Sequence, residues 1–512
     1  MRGPGRLRDS TIPCAVFALA GAVAFRLPEI LNPGIVNSDS AVVGLQAMHI
    51  LRGEWHWFLW GSGYQTTADS VVAAAIFSII GATPLALMLT ALTGHLVATL
   101  FAYLTLCRRH APAIALLLIT PLIASPAPTH TYTLHPPRQT ALTLVFIAIW
   151  LLDGATSARR ENIRYAIGAG TAALACFADP YALIFAPGMA LLALLIGLDG
   201  TNSRGRTWRR FAAMAAGAAV GAVPFIVCRL LPNSVSGPLT FSPGLLARNW
   251  ALFKGPCLSW VLGTRVLHQP AGVSDYIFWH PPWGFQVCQW LGAAAFAASF
   301  VFAIGAAAQN CIPWASRRLG LTAVLTVVTT IAGFLLSVMP IDHYASRYLV
   351  SLVLLAPFLF GVIAHVIQPR VLLALMAPMI ASFAVSGWLG YEPLTKGIRI
   401  VDGGLQANEA QLLRELNHRG VKYAMADYWT AYRLTFMFQE GVTVVPVHES
   451  QDRYAPYRRE LFKASRYAYI FDHIRSEESQ ATVNSRVAEG QEDRFTIGPF
   501  DIYVLRRMGD SS

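Results

Sequence analysis

Residues 320–339 read GLTAVLTVVTTIAGFLLSVM, a run of 20 residues with no charged side chain. A helix needs about 20 predominantly apolar residues to cross the hydrocarbon core of a bilayer. Arg317 and Arg318 stand just before this run, and basic residues mark the cytoplasmic end of a membrane span. The segment therefore predicts a membrane-spanning helix that starts on the cytoplasmic side.

Ten further apolar segments follow the same pattern, and four of them are short. They are residues 12–27, 85–106, 113–124, 139–152, 165–178, 182–198, 211–231, 285–307, 348–367 and 371–389. Of the 512 residues, 55% are hydrophobic and only 13% are charged, whereas soluble proteins carry about 25% charged residues. The composition predicts a polytopic α-helical membrane protein with about 11 transmembrane helices.

Basic residues gather in alternate loops, which is the pattern of cytoplasmic loops in membrane proteins. An odd number of spans then places the N-terminus in the cytoplasm and the C-terminal part in the periplasm of a bacterial inner membrane. The formal charge of +11 comes largely from these loops, so we expect membrane lipids as surroundings and no nucleic acid partner. The basic loop residues are Arg2, Arg6, Arg8, Arg108, Arg109, Arg159, Arg160, Arg164, Arg204, Arg206, Arg209, Arg210, Arg317, Arg318 and Arg370.

A change in composition near residue 390 predicts two domains. Residues 1–390 form the transmembrane domain, with long outside loops at 28–84 and 232–284. Residues 391–512 alternate between helix and strand patterns, which predicts a periplasmic α/β domain. Its expected helices are 408–419 and 428–438, and its expected strands are 421–426, 442–447, 467–471 and 502–505.

The first outside loop contains the best candidates for chemistry. Residues 40–52 predict a helix with one apolar face, too short to span and therefore lying on the membrane surface. Asp39 precedes this helix, and Asp69 closes an aromatic stretch that includes His56, Trp60 and Tyr64. Aromatic faces suit sugar rings, and a carboxylate suits a general base. From spacing alone, Asp39 is equally explained as a helix N-cap and the aromatic residues as an interfacial belt.

Two arginines lie on the outside by the predicted topology. Arg347 follows the sequence DHYAS at 342–346 and precedes Tyr348; it either snorkels to lipid headgroups or binds a lipid phosphate. Arg138 ends the stretch His135-Pro136-Pro137-Arg138 and either lines a substrate cleft or completes a stiff turn. In the tail, the aromatic stretches 427–432 and 453–457 either bind a ligand or pack against the rest of the chain.

Several of these features together resemble the GT-C superfamily of membrane glycosyltransferases. They are Ser38-Asp39-Ser40 after a single span, a helix ending in Arg52-Gly53-Glu54, Trp60-Gly61 leading into Tyr64-Gln65, Asp69, and Gly81-Ala82-Thr83-Pro84 at the second span. The resemblance covers the apolar part of the chain in layout. It implies transfer of a sugar from a polyprenyl-phosphate donor to a lipid, glycan or protein acceptor.

The resemblance also implies residue roles. Asp39 is the expected catalytic base and Asp69 a second acid, while the Arg347-Tyr348 pair is expected to bind the donor phosphate. Many relatives have a second acid directly beside the first, but here Asp39 is followed by Ser40 and Ala41. A divalent cation is therefore left open, and the sequence contains no strong metal motif.

Two other classes of protein compete with the enzyme. A transporter or flippase for a lipid-linked substrate would place ionisable residues within its spans, in broken helices. A non-catalytic scaffold would use the membrane part only to display the tail. The spans contain few acidic residues, and the polar candidates gather in outside loops, which favours an enzyme working at one membrane face.

Overall fold

Helices dominate the structure, a computed structural model. It describes residues 10–154, 158–199, 204–232, 240–268, 277–306, 309, 311–391, 404–473, 476, 479–487 and 490–507. The predicted basic residues Arg2, Arg6 and Arg8 and the side chain of Arg159 lie outside this description. The chain divides into two compact units.

The first unit contains Met1–Pro28, Leu92–Thr133 and Arg138–Gly397, and it holds the apolar helices. All eleven predicted segments are helical. The helices are Thr11–Phe25, Pro84–Cys107, Pro112–Leu118, Thr120–Ile123, His130–Thr133, Gln139–Asp153, Ala158–Ala178, Ala186–Gly197, Arg204–Leu230, Leu246–Leu252, Leu258–Val261, Trp283–Gly305, Trp314–Leu336, Ser351–Ile363 and Pro369–Leu389.

Length and composition separate these helices into two groups. Within the described residues, six helices are long and apolar enough to cross a membrane: Pro84–Cys107, Arg204–Leu230, Trp283–Gly305, Trp314–Leu336, His343–Ile363 and Pro369–Leu389. The predicted segment 113–124 is split in two at Ile119, two residues before Pro121, which has no backbone N–H to continue the hydrogen-bond ladder. The count of about 11 spans stays a prediction.

Short elements connect these helices. The first unit has short stretches of 3₁₀ helix at Ala127–Thr129, Pro180–Ile184, Pro243–Leu245 and His343–Leu349, and a π turn at Phe253–Cys257. Strands β1 (Val266–His268) and β2 (Ile277–Trp279) pair antiparallel in the second long loop. The short helix Leu27–Ile30 runs from the first unit into the second.

The second unit joins the first long loop to the tail. It contains Glu29–Ala91, Leu134–Pro137 and Ile398–Ser512, so the structure groups the chain differently from the predicted boundary at residue 390. Its helices are Ser38–Leu51, Ala68–Ile80, Gly404–His418, Tyr428–Met437, Ala455–Lys463 and Gln480–Val487, with tighter turns at Pro33–Ile35 and Glu449–Gln451.

A five-stranded sheet forms the centre of the tail. Its strands are β3 (Tyr423–Ala426), β4 (Thr443–Pro446), β5 (Arg466–Asp472), β6 (Gln491–Ile497) and β7 (Phe500–Arg506), in the order β4-β3-β5-β7-β6. The β3 strand is parallel to β4 and β5, and the pairs β5–β7 and β7–β6 are antiparallel. The α/β pattern predicted for the tail is confirmed, and the sequence missed only the charged strand β6 and two short helices.

The helix predicted at residues 40–52 is confirmed as Ser38–Leu51, and protein covers its apolar side chains; its place at the membrane surface stays a prediction. Eleven of its residues are buried, and its core side chains pack with Phe77, Tyr432 and Phe436 in one hydrophobic cluster. The helix Tyr428–Met437 of the tail packs directly against it. The helix carrying Asp39 is thus a core element of the second unit.

Candidate active site

Asp39 lies in the first turn of the helix Ser38–Leu51. The residue that caps this helix is Asn37, whose side-chain oxygen accepts a hydrogen bond from the backbone N–H of Ser40 at 2.9 Å. The alternative that Asp39 is the N-cap is therefore wrong. Its side chain is 36% exposed, so the carboxylate is open to a substrate.

Two residues of the tail contact Asp39. The hydroxyl of Tyr428 donates a hydrogen bond of 2.5 Å to Asp39 Oδ1, and Arg453 Nη2 lies 3.8 Å from the same oxygen. Arg453 Nε in turn donates to the Tyr428 hydroxyl at 3.0 Å. Within the described parts of the chain, Asp39 Oδ2 has no hydrogen-bond partner. The two aromatic stretches of the tail therefore supply the partners of the candidate base.

The protonation of these partners fits their roles as donors. Burial raises the pKa of the Tyr428 hydroxyl well above its usual value, and the charge of Asp39 raises it further. Burial acts to lower the pKa of Arg453, but the neighbouring Tyr428 and Asp39 reverse this and raise it. At neutral pH, both side chains therefore keep the protons that they direct at the carboxylate and the phenol.

The second predicted acid occupies a different environment. Asp69 lies in the first turn of the helix Ala68–Ile80 and is only 3% exposed. A general base must come within hydrogen-bond reach of the substrate proton. A carboxylate buried to this extent is a weaker candidate for that role than Asp39.

The aromatic residues of the first loop divide into covered and open rings. Trp60 is 5% exposed, and Tyr454 stacks on it with centroids 4.0 Å apart. The Trp60 ring is thus part of the core in this structure, and its contact with a substrate stays a prediction. His56 is exposed and Tyr64 is half-buried beside Arg453, so both remain open to a ligand.

The sequence missed the role of His49. Its Nδ1 lies 2.7 Å from Glu54 Oε2, and its Nε2 lies 2.8 Å from Glu440 Oε1. Carboxylates only accept hydrogen bonds, so both ring nitrogens must carry protons and His49 is an imidazolium. Tyr457 donates to the same oxygen of Glu440 at 2.5 Å. No sequence signal links His49 to Glu440, since 391 positions separate them.

In the first unit, the structure brings Arg138, Arg347 and Tyr348 together. Arg347 Nη2 donates to the Tyr348 hydroxyl at 3.3 Å. The guanidinium carbons of Arg138 and Arg347 each lie 5.2 Å from the centre of the Tyr348 ring. Arg138 is held by Asp179 at 3.2 Å and by the hydroxyl of Tyr132 at 2.6 Å. Both positive charges therefore meet at one tyrosine.

The backbone of Arg138 is in an unusual conformation. Its φ angle is 97°, directly before the helix Gln139–Asp153. A non-glycine residue held in a sparsely populated region costs about 1–3 kcal/mol, and such residues cluster at ligand sites. Asp179 also has a double role, because its Oδ1 accepts from the Tyr181 backbone N–H at 2.7 Å while its Oδ2 pairs with Arg138. Asp179 therefore both caps the turn that begins at Pro180 and holds the Arg138 side chain.

An apolar cavity of about 350 Å³ lies against this cluster. Arg138, Asp179 and Tyr348 line it at a polar part of the wall. The remaining wall is mainly apolar and includes Ile184, Phe241, Phe334, Leu336, Met339 and Pro340. A cavity of this size with a few converging polar groups is typical of small-molecule sites.

The residues do not assemble a ready metal site. Across the described ranges, no group of three or more His, Cys, Asp or Glu side chains is arranged to hold a metal ion. Asp39 has a tyrosine and an arginine as partners, and an arginine beside a carboxylate opposes the binding of a second positive charge.

Comparison with known proteins bears on the fold. No protein-family model matches the sequence, and no curated protein matches it. The structure is similar to ArnT from Cupriavidus metallidurans in the apo state, with a TM-score of 0.61 and 10% identity over 97% of this chain and 98% of that chain. The same protein bound to undecaprenyl phosphate gives a TM-score of 0.59 and 11% identity, with the same coverage of both chains.

A weaker likeness links the chain to the oligosaccharyltransferase from Archaeoglobus fulgidus tethered with an acceptor peptide. Its TM-score is 0.48 at 12% identity, over 91% of this chain and 69% of that chain. The likeness to ArnT extends over nearly the whole of both chains. The chain therefore has the fold of ArnT, and its described apolar helices fit the multi-pass α-helical membrane protein that the sequence predicted.

Proposed function

We propose that the protein is a membrane glycosyltransferase that moves a sugar from a polyprenyl-phosphate donor to a lipid, glycan or protein acceptor. The observation that carries the proposal is the cluster of Arg138, Arg347 and Tyr348 beside an apolar cavity. Arginine binds phosphate oxygens through a planar fork of N–H donors. Apolar walls suit the hydrocarbon chain that such a phosphate carries.

The fold supports the same class of donor. ArnT, whose fold the chain shares, has been solved with undecaprenyl phosphate bound. In the protein described here, Arg347 is the more available cation, because Arg138 is already paired with Asp179. We therefore assign Arg347 to the donor phosphate. Arg138 adds a second positive charge near it, and the Tyr348 ring lies beside both guanidinium groups.

Asp39 is the proposed base. A hydroxyl of the acceptor is a poor nucleophile until its proton is removed. Asp39 Oδ2 would take that proton while the hydroxyl oxygen forms a bond to the anomeric carbon of the donor sugar. The bond between that carbon and the phosphate oxygen breaks, and the polyprenyl phosphate leaves with the electron pair. A positioned base of this kind contributes about 10²–10⁴-fold to the rate.

The rival assignment as a transporter or flippase has less support. Transporters place their ionisable ligands near the bilayer midplane, in interrupted helices. Here Arg138 precedes the first residue of a helix, and Arg347 lies in the tight turn His343–Leu349 that precedes Ser351–Ile363. Charges at helix ends suit chemistry at one face of the membrane.

We further infer that the unit carrying Asp39 faces the periplasm of a bacterial inner membrane. The basic loops favour this orientation, with the N-terminus in the cytoplasm. A reporter that fluoresces only in the cytoplasm, fused after residue 512, should stay dark, and one that is active only outside should work there. The opposite pair of results would invert the proposed topology.

The function is tested with the full-length protein in lipid nanodiscs. Mass spectrometry of glycolipids and glycans from wild-type and deletion strains first identifies the missing product. The purified enzyme should then form that product from the matching polyprenyl-phosphate sugar. Asp39→Asn keeps the size of the side chain but removes its basicity, and it should lower kcat about 10²–10⁴-fold while the protein stays folded.

Two companion variants locate the effect. Glu460→Gln removes a surface carboxylate of the same unit and should leave the rate unchanged. Among the described residues, Glu460 pairs only with Lys463, at 2.6 Å. Asp69→Asn should cause a smaller loss than Asp39→Asn, because Asp69 is buried. If Asp39→Asn transfers sugar at the wild-type rate, the base is elsewhere and the assignment is wrong.

A further inference from the structure

The tail residues that contact Asp39 form an ordered chain of hydrogen bonds. Arg453 Nε donates to the Tyr428 hydroxyl at 3.0 Å, and that hydroxyl donates to Asp39 Oδ1 at 2.5 Å. We propose that Tyr428 and Arg453 are positioning residues, which hold Asp39 with Oδ1 occupied so that Oδ2 is the oxygen that receives the acceptor proton. This inference rests on the proposed role of Asp39 as the base.

Tyr428 is fixed at both its backbone and its ring. It is the first residue of the helix Tyr428–Met437, which Asp427 caps by accepting from the Trp429 backbone N–H at 3.0 Å. Its carbonyl oxygen accepts from the hydroxyl of Ser38 at 2.6 Å, so the starts of the two helices are joined. Its ring is buried in the hydrophobic cluster that also contains the core side chains of the helix Ser38–Leu51. The hydroxyl can therefore point only toward the neighbouring carboxylate.

Arg453 is fixed as firmly. Besides its bond to Tyr428, its Nη1 donates to the Gly61 carbonyl oxygen at 3.2 Å. The side chain lies so close to Gly61 that a Cβ atom there would overlap Arg453 Cδ. Two of its three nitrogens are thus committed to the protein, and the third faces Asp39. An arginine held in this way is suited to orient a carboxylate rather than to follow a substrate.

The chain of bonds has a defined consequence for Asp39. A carboxylate with two free oxygens can rotate about its last side-chain torsion, which is broad and two-fold. When Tyr428 holds Oδ1, one orientation is selected and Oδ2 keeps its lone pairs for the acceptor hydroxyl. Loss of the Tyr428 hydroxyl allows the carboxylate to rotate between its two orientations. It also removes a donor that stabilises the charged carboxylate. Transition-state interactions weaken, while donor binding is unaffected.

Three variants of the full-length enzyme in nanodiscs test the inference. Tyr428→Phe removes only the hydroxyl and should lower kcat about 10- to 100-fold, the range for a hydrogen bond to a charged group, with the donor KM unchanged. The acid limb of its pH–rate profile should move to higher pH. Arg453→Gln should shift the profile in the same direction, and Arg453→Lys should restore part of the loss because it keeps the charge.

A glycine pair separates positioning from simple loss of folding. A Cβ atom at Gly61 would overlap both the side chain and the backbone of Arg453. Gly61→Ala should therefore displace Arg453 without altering any charged or hydroxyl group, and should reproduce the shifted acid limb. Gly53→Ala is the matched control: Gly53 also has a positive φ, 90° against 65° for Gly61, but a Cβ there meets nothing within 4 Å. It should share the backbone strain and keep the wild-type pH profile.

The outcomes discriminate between this inference and the function on which it rests. If Asp39→Asn is inactive while folded Tyr428→Phe and Gly61→Ala keep wild-type kcat and pH profile, the positioning role is refuted and the base assignment stands. If Asp39→Asn is fully active, the assignment of Asp39 as the base is refuted, and the positioning role that depends on it is refuted as well. If Tyr428→Phe lowers only the melting temperature, the contact is structural and the inference is overturned.

Discussion

Replacing Arg347 by alanine should weaken the use of the lipid donor without unfolding the protein. Among the residues described, Arg347 makes one hydrogen bond to a side chain, the 3.3 Å contact with the Tyr348 hydroxyl, and no ion pair. Its Nε is buried without a partner in the same set. Little of the fold depends on this guanidinium, whereas a phosphate would satisfy the donors that the protein leaves open.

The size of the effect follows from those unused donors. Hydrogen bonds between charged groups contribute about 1.5–3 kcal/mol, which corresponds to about a 10- to 100-fold rise in the donor KM. Arg347→Lys should recover only part of this, because a point charge lacks the planar fork. Arg138→Ala differs in kind, since it breaks the buried ion pair between Arg138 and Asp179 and should cost about 3–5 kcal/mol of stability.

The assay is the donor KM in nanodiscs, measured beside the melting temperature of each variant. Arg370→Ala is the control, because Arg370 is an exposed arginine that flanks the span Pro369–Leu389 and should affect neither quantity. A donor KM in Arg347→Ala equal to that of the wild type would refute phosphate binding. Arg347 would then return to the role of an arginine that reaches lipid headgroups.

Two further predictions concern the second unit. Burial acts to lower the pKa of His49, but Glu440 and Glu54 raise it above the usual 6.5. The stability that protonated His49 contributes is therefore complete below about pH 6.5 and is lost as the pH rises through the raised pKa. Burial acts to raise the pKa of Glu440, but its bonds to His49 and Tyr457 lower it to about 2. The stability that ionised Glu440 contributes is therefore present above about pH 4.5 and is lost toward pH 2. Melting temperature against pH should therefore peak between these limits, and His49→Gln should flatten the alkaline side; an unchanged alkaline slope would contradict the bridge. Gly44→Ala should destabilise the protein by about 1–3 kcal/mol, because the added methyl group would press into the ring of Phe436, and a melting temperature equal to that of the wild type would show that the ring moves aside freely.

Local patterns in the sequence predicted the helices well. Apolar runs predicted helix in all eleven segments, and six described helices are long and apolar enough to cross a membrane, as a bilayer demands of a spanning helix. The strand β6 was missed because its sequence, QEDRFTI, has only two apolar residues and lies at the edge of the sheet. Edge strands tolerate charge, so no hydrophobic alternation marks them.

The environment of the candidate base could not be read in the same way. Asp39 was selected by its place before a helix, but its partners Tyr428 and Arg453 lie 389 and 414 positions further along the chain, the second figure being 453 minus 39. The apolar face of the helix Ser38–Leu51 was assigned to lipid for the same reason. A pattern of apolar residues shows that a face is buried, but it does not show whether lipid or protein covers it.

The hydrophobic cluster that the helix Ser38–Leu51 forms with the tail explains why a base in the first outside loop requires the tail. A helix of 14 residues is marginal in water, because nucleation is costly and packing supplies most of its stability. The helix Ser38–Leu51 obtains that packing from Tyr432 and Phe436, and its first turn is bonded to Tyr428 through Ser38 and Asp39. The same contacts that fold the helix therefore also orient the carboxylate. Precision at Asp39 and stability of its helix have one physical source, so a tail that packed without Tyr428 could support the fold but would leave the carboxylate free to rotate.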